Sequence, residues 1–149
     1  MLTFIKINEG KQIMKKFMLA LVAIGISGCS TTPVSPDLAR NVGVSTEFMM
    51  KQGNVPVTII RDKGFVAGGC AVTAYINGKK VAELETSEKA TAYVVPGEIV
   101  VGAVFEGSGL CHGPQRKERE FIVKSQQPKR LRIFIDQSGN VDILPSTLN

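Results

Sequence analysis

The chain has 149 residues, with 18 Lys and Arg against 13 Asp and Glu, one His, three Cys and no Trp. That length suffices for one core and hardly for two. Lys6, Lys11, Lys15, Lys16 and Glu9 fall in the first 28 residues, so the other 121 carry 14 basic and 12 acidic side chains, a net charge of +2 in place of +5. So small an excess, with no aromatic residues interleaved for base stacking, argues against a nucleic-acid partner.

In chain order, Lys15 and Lys16 follow Met14 and precede an apolar run over residues 17–26, the order of a secretory signal. Ten residues at about 1.5 Å each cover roughly 15 Å of a hydrocarbon core of about 30 Å, too little for a span. Ser27, Gly28 and Cys29 close the run where an A-x-A-like site would otherwise stand. Residues 14–29 in this order resemble the lipobox of bacterial lipoproteins. The resemblance implies a diacylglyceryl thioether on Cys29, cleavage after Gly28 and acylation of the new amino terminus. Two or three acyl chains, at about 0.8 kcal/mol per buried CH2, make such an anchor durable. With Ser30 rather than aspartate next, it also implies the outer membrane more than the inner one. Residues 1–28 thus read as a signal peptide, and the polar residues ahead of the basic pair place the expected translation start at Met14.

Residues 29–54 read as the lipidated cysteine and its tether. Pro33, Pro36, Ser and Thr make the first part flexible, and apolar residues from Val42 to Met50 are expected to pack on the domain as a short strand or helix. From Val55 onward come short β-rich runs: "VPVTIIR", then "AVTAYING" and "KKVAEL" around Asn77 and Gly78, a dipeptide that favours a tight hairpin. "KATAYVV" and "EIVVGAVF" are expected to form a second hairpin through Pro96 and Gly97. "REFIVK", "RLRIFID" and "VDIL" follow, the last two joined through residues 137–140. Leu131, Ile133 and Ile135 alternate with polar residues, whereas "EIVVGAVF" is apolar on both faces and is expected to sit centrally. No run has a clean helical period. The expected fold is all-β: a single antiparallel β-sandwich of seven or eight strands over residues 55–149.

Arg61, the "YINGKKVAEL" hairpin and "AYVVPGEIVV" resemble small lipoprotein sandwich domains of the PEGA type. The similarity covers residues 55–105, rests on turn chemistry and implies a fold rather than an activity; Cys70 and Cys111 depart from it.

With Cys29 assigned to lipid, Cys70 and Cys111 are left for an oxidising compartment and are expected to form a disulfide. The rival is a metal or redox site using both cysteines and His112. Those three ligands lack C-x-x-C spacing and a fourth partner, so neither metal nor cofactor is expected. The glycines of "GGC" and "GSGLCHGPQ" lack the G-K-[ST] ending of a phosphate loop, and Ser108 lacks a nucleophile elbow. Glu83, Glu85, Glu88, Glu118 and Glu120 read as solvated side chains, not a catalytic pair.

Arg116, Lys117, Arg119, Lys124, Lys129, Arg130 and Arg132 form a basic run broken by Glu118 and Glu120. On two neighbouring strands this run would make a basic face for anionic headgroups or an acidic partner. Otherwise it is a solvated side whose edge lysines discourage aggregation. The expectation is a non-enzymatic, lipid-anchored periplasmic module, structural or protein-binding in the cell envelope. The alternative is a small-ligand binder or inhibitor using the loops around Cys70 and Cys111.

Overall fold

In the computed structural model, which describes residues 31–148, the chain forms a two-sheet β-sandwich. Nine strands occur among the described residues: β1 (Arg40–Asn41), β2 (Val55–Arg61), β3 (Val72–Ile76), β4 (Lys79–Leu84), β5 (Glu88–Val94), β6 (Gly97–Val104), β7 (Lys117–Val123), β8 (Lys129–Ile135) and β9 (Val141–Pro145). The first sheet runs β1-β5-β2-β8-β9, and the second β4-β3-β6-β7. Strands β2 to β9 are the eight runs expected from alternation, and β1 is an addition from the segment ahead of them.

Side chains on alternate positions fill the space between the sheets. Val55, Val57 and Ile59 of β2, Leu131, Ile133 and Ile135 of β8, and Ile99, Val101 and Ala103 of β6 are all buried. Each large member contributes about 1.5–3 kcal/mol on leaving water. β6 lies between β3 and β7, the interior position expected of it, and the Arg116 side chain lies over its outer face at Gly102.

The turns follow their residues. Asn77 and Gly78 have φ of 48° and 77°, the left-handed pair that closes a two-residue hairpin between β3 and β4. The segment at Pro96 and Gly97 does not close the expected hairpin. There β5, paired with β2, passes into β6 of the other sheet, paired with β3 and β7. Proline holds φ negative at the first turn position, where a tight hairpin needs it positive, so Pro-Gly suits a corner between layers.

The first sheet is also mixed rather than purely antiparallel. β2 and β8 pair in parallel, Val57 opposite Lys129 through Arg61 opposite Ile133. Such a pair needs a long crossover, which residues 62–128 supply by building the second sheet and β5 of the first.

Residues 31–54 are fastened to the sandwich and do not form a free tether. Thr32 and Lys63 exchange backbone hydrogen bonds of 2.7 and 3.0 Å, and Thr31 Oγ1 donates to the Ile135 carbonyl. Lys89 Nζ donates to the Pro36 carbonyl at 2.5 Å, and β1 pairs in parallel with β5. Ile60, which points out of the sandwich by alternation, is nevertheless buried, as is Ala39 of this covering segment. The apolar stretch near residue 48 packs as expected: Thr46–Phe48 forms a 3-10 turn and buries Phe48 in the core. Ser45 hydrogen-bonds the Val81 carbonyl through N–H and the Lys80 carbonyl through Oγ, covering the edge of β4.

Candidate functional site: the disulfide-bearing pole

The strand directions bring residues 31–32, the loop 62–71, the turn 85–87, the loop 105–116 and the turn 136–140 to one end of the sandwich. Cys70 and Cys111 are joined there, with S–S 2.02 Å and Cα atoms 5.2 Å apart, the disulfide expected from the sequence. Cys29 lies outside the described residues. The bridge ties the loop after β2 to the loop after β6, both rich in glycine. A Cβ on Gly107 would come 2.8 Å from Cys111 Cβ, so the backbone can pass the bridge only because that side chain is missing.

Beneath the bridge lies Arg61, 1% exposed, a residue whose structural role the sequence reading missed. Alternation along β2 turns Val55, Val57, Ile59 and Arg61 to the same face, and that periodicity was the signal for a buried guanidinium. Its Nη1 donates to the carbonyls of Cys70 and, at 3.0 Å, Leu84, and its Nη2 donates to that of Ala67 at 2.7 Å. The guanidinium also lies 5.8 Å from the Phe105 ring centroid. Burial lowers its pKa from the ordinary arginine value, and Glu85 and Glu88 oppose that shift. Arg61 therefore acts as an internal cap, supplying donors to the Ala67 and Cys70 carbonyls of the loop and to the Leu84 carbonyl at the end of β4.

Asp62, the next residue, is 3% exposed and accepts a 2.7 Å hydrogen bond from Arg132 Nη1 on Oδ2. Its Oδ1 is buried without a hydrogen-bond partner. Desolvation pushes the carboxyl up to about 6, against the pull of Arg132 and the Val34 N–H.

The loop after Cys111 borders an open cleft of about 510 Å³ whose lining includes Phe105, Glu106, His112, Gln115, Arg116 and Glu118. On its flank, Tyr75 Oη donates to Glu106 at 2.6 and 2.7 Å to the two carboxylate oxygens, and Arg116 lies over the Tyr75 ring at 4.3 Å. The Glu106 hydrogen bond raises the phenol pKa, helped by desolvation. His112 is exposed, as expected of a loop residue. Among the described residues, no three His, Cys, Asp or Glu side chains are grouped to hold a metal, and no helix is long and apolar enough to cross a membrane.

The expected basic face is divided. β7 pairs with β6 and β8 with β2 and β9, so these two strands are not neighbours in one sheet. Arg116 and Lys117 stand at the disulfide-bearing pole, whereas Lys129 and Arg130 begin β8 at the far end. Arg119 holds Asp142 through two hydrogen bonds of 2.6 and 2.7 Å, Arg116 pairs with Glu118, and Arg132 is taken by Asp62. Lys129 Nζ turns to the Ile122 carbonyl and the Phe121 ring. Interspersed carboxylates and two separate sheets replace the single cationic surface. Of Glu83, Glu85, Glu88, Glu118 and Glu120, only Glu88 is buried, and its Oε2 accepts the Glu85 N–H at 2.7 Å.

No protein-family model, curated protein or solved structure matches the chain.

Proposed function

We propose that this chain is a bacterial lipoprotein, anchored through Cys29 and facing the periplasm, more readily from the outer membrane than the inner, where its sandwich serves as a non-catalytic structural or protein-binding module. The observation that carries the reading is the Cys70–Cys111 disulfide. Stable bridges of this kind belong to oxidising compartments, and an exported chain enters one. The lysine pair, the short apolar run and the Ser27, Gly28, Cys29 ending supply the route of export. The intact mass of protein extracted from membranes tests the reading. It should correspond to residues 29–149 bearing a diacylglyceryl group and a third acyl chain, with two hydrogens lost at the bridge. A cytosolic product that retains residues 1–28 and a free thiol at Cys29 would overturn it.

A second reading, small-ligand binding, rests on the cleft beside Cys111, where Glu106, His112 and Arg116 combine charge with the apolar wall of Phe105. Chemical-shift changes confined to these residues on titration with a ligand library would favour that reading over the purely structural one.

A further inference from the structure

The docking of Thr31 limits how far the sandwich can stand from an anchor at Cys29. Two residues reach at most about 7 Å, and Thr31 is already held by the Ile135 carbonyl while Thr32 is paired with Lys63. Thr31 also packs against Gly64, where an added Cβ would come 3.1 Å from Thr31 Oγ1. Phe65 follows at once and is 83% exposed; Leu110, next to the bridge that secures the same loop, is 102% exposed. Exposed apolar side chains occur at the far end too, Val95 at 71% and Met50 at 74%. What selects between the ends is the short reach from Cys29, because seven residues of β2 separate the poles by roughly 20 Å.

We propose that the disulfide-bearing pole lies directly against the phospholipid bilayer that holds the acyl chains, with Phe65 and Leu110 entering the headgroup and upper acyl region. This inference rests on lipidation of Cys29. The bilayer is the occupant because the anchor brings it within a few ångströms and because large apolar side chains on secured loops favour the interface over water. Lys63, between Thr32 and Phe65, can extend its stem along the surface and keep its ammonium at headgroup level. The pole carries both signs of charge, with Lys63 and Arg116 set against Glu106 and Asp136, so the contact depends on apolar insertion and not on anionic lipid. Each loop is braced from within, one by Arg61 through the carbonyls of Ala67 and Cys70, the other by the bridge.

The test uses the full chain, processed in cells, extracted and reconstituted in phosphatidylcholine vesicles with or without brominated acyl chains. The sequence contains no tryptophan, so the variants Phe65→Trp, Leu110→Trp and Val95→Trp each carry a single indole emitter. The first two should be blue-shifted, quenched at least about twofold by brominated lipid and protected from aqueous iodide. The third should be quenched by iodide and indifferent to bromine. Phe65 and Leu110 are exposed on separate loops, so the two variants give independent readings, and the intact mass of each sample reports both acyl load and bridge. Acylated samples in which both pole variants stay open to iodide and unquenched by bromine would overturn the orientation and leave the anchor standing. A sample without diacylglyceryl on Cys29 would overturn both.

Discussion

Arg61 and Asp62 are adjacent in sequence, opposite in charge and almost fully buried, yet neither pairs with the other. Arg61 serves backbone carbonyls and Asp62 serves Arg132. Replacing Arg61 by Met keeps much of the volume and removes the guanidinium donors from the carbonyls of Cys70, Leu84 and Ala67, the last of which still accepts the Cys70 N–H. At about 1–3 kcal/mol for each buried unsatisfied group, softened by water entering the loop, Arg61→Met should cost about 2–4 kcal/mol in urea unfolding. Asp62 gives a pH signature. Its folded pKa, about 6, stands above the unfolded value of about 4. Between the two the native state holds a proton that the unfolded chain has released, so this group's contribution falls as pH rises from 4 to 6. Asp62→Asn removes that component; the difference in melting temperature between the parent and the variant should change across this window and level off above pH 7. A difference that is constant from pH 4 to 7 would mean that Asp62 titrates normally. Asp136 and Asp142 act in the opposite sense, since Asn140 lowers the first and Arg119 the second, and stability tied to them is lost as pH falls through their folded pKa values.

The strands were legible in the sequence because a half-buried sheet imposes a period of two, and β8 displays it as Leu131, Ile133 and Ile135. Turn chemistry was legible where one conformation dominates, as at Asn77 and Gly78. It misled at Pro96 and Gly97, where the residues specify a bend but not which sheet receives the next strand. The split of the basic run has the same origin: sheet membership is decided by pairing between strands far apart in the chain, and residue spacing does not encode it. The cysteine pair was legible by elimination once the lipobox resemblance set Cys29 aside. Arg61 was visible in the period and overlooked, because an inward arginine contradicts the apolar rule until its carbonyl partners are known. The bridge closes a separation of 41 residues. On loop entropy it contributes about 4 kcal/mol, so the Cys70→Ser, Cys111→Ser double variant should lose about that much unfolding free energy in urea, with the β-sheet circular dichroism retained at zero denaturant.

Across the molecule, the first sheet joins distant parts of the chain. β2 sits between β5 and β8, and β8 between β2 and β9. Without residues 129–148, β2 would lose one neighbour and Val57, Ile59 and Arg61 one wall of their surroundings. A chain ending at residue 128 should therefore show no cooperative thermal transition, whereas an independent β3–β7 unit would retain one. The docked segment 31–54 extends this dependence toward the amino terminus, since it covers Ile60 and the edge of β4.

The parallel pairing of β2 with β8 also sets a clock on the newly made polypeptide. More than sixty residues must be completed after β2 before its parallel partner β8 exists, and contacts so remote in sequence form slowly. If the chain is exported as proposed, it would still lack the β2–β8 pair while its leading end enters an export channel, and its final strands would complete the first sheet on the far side.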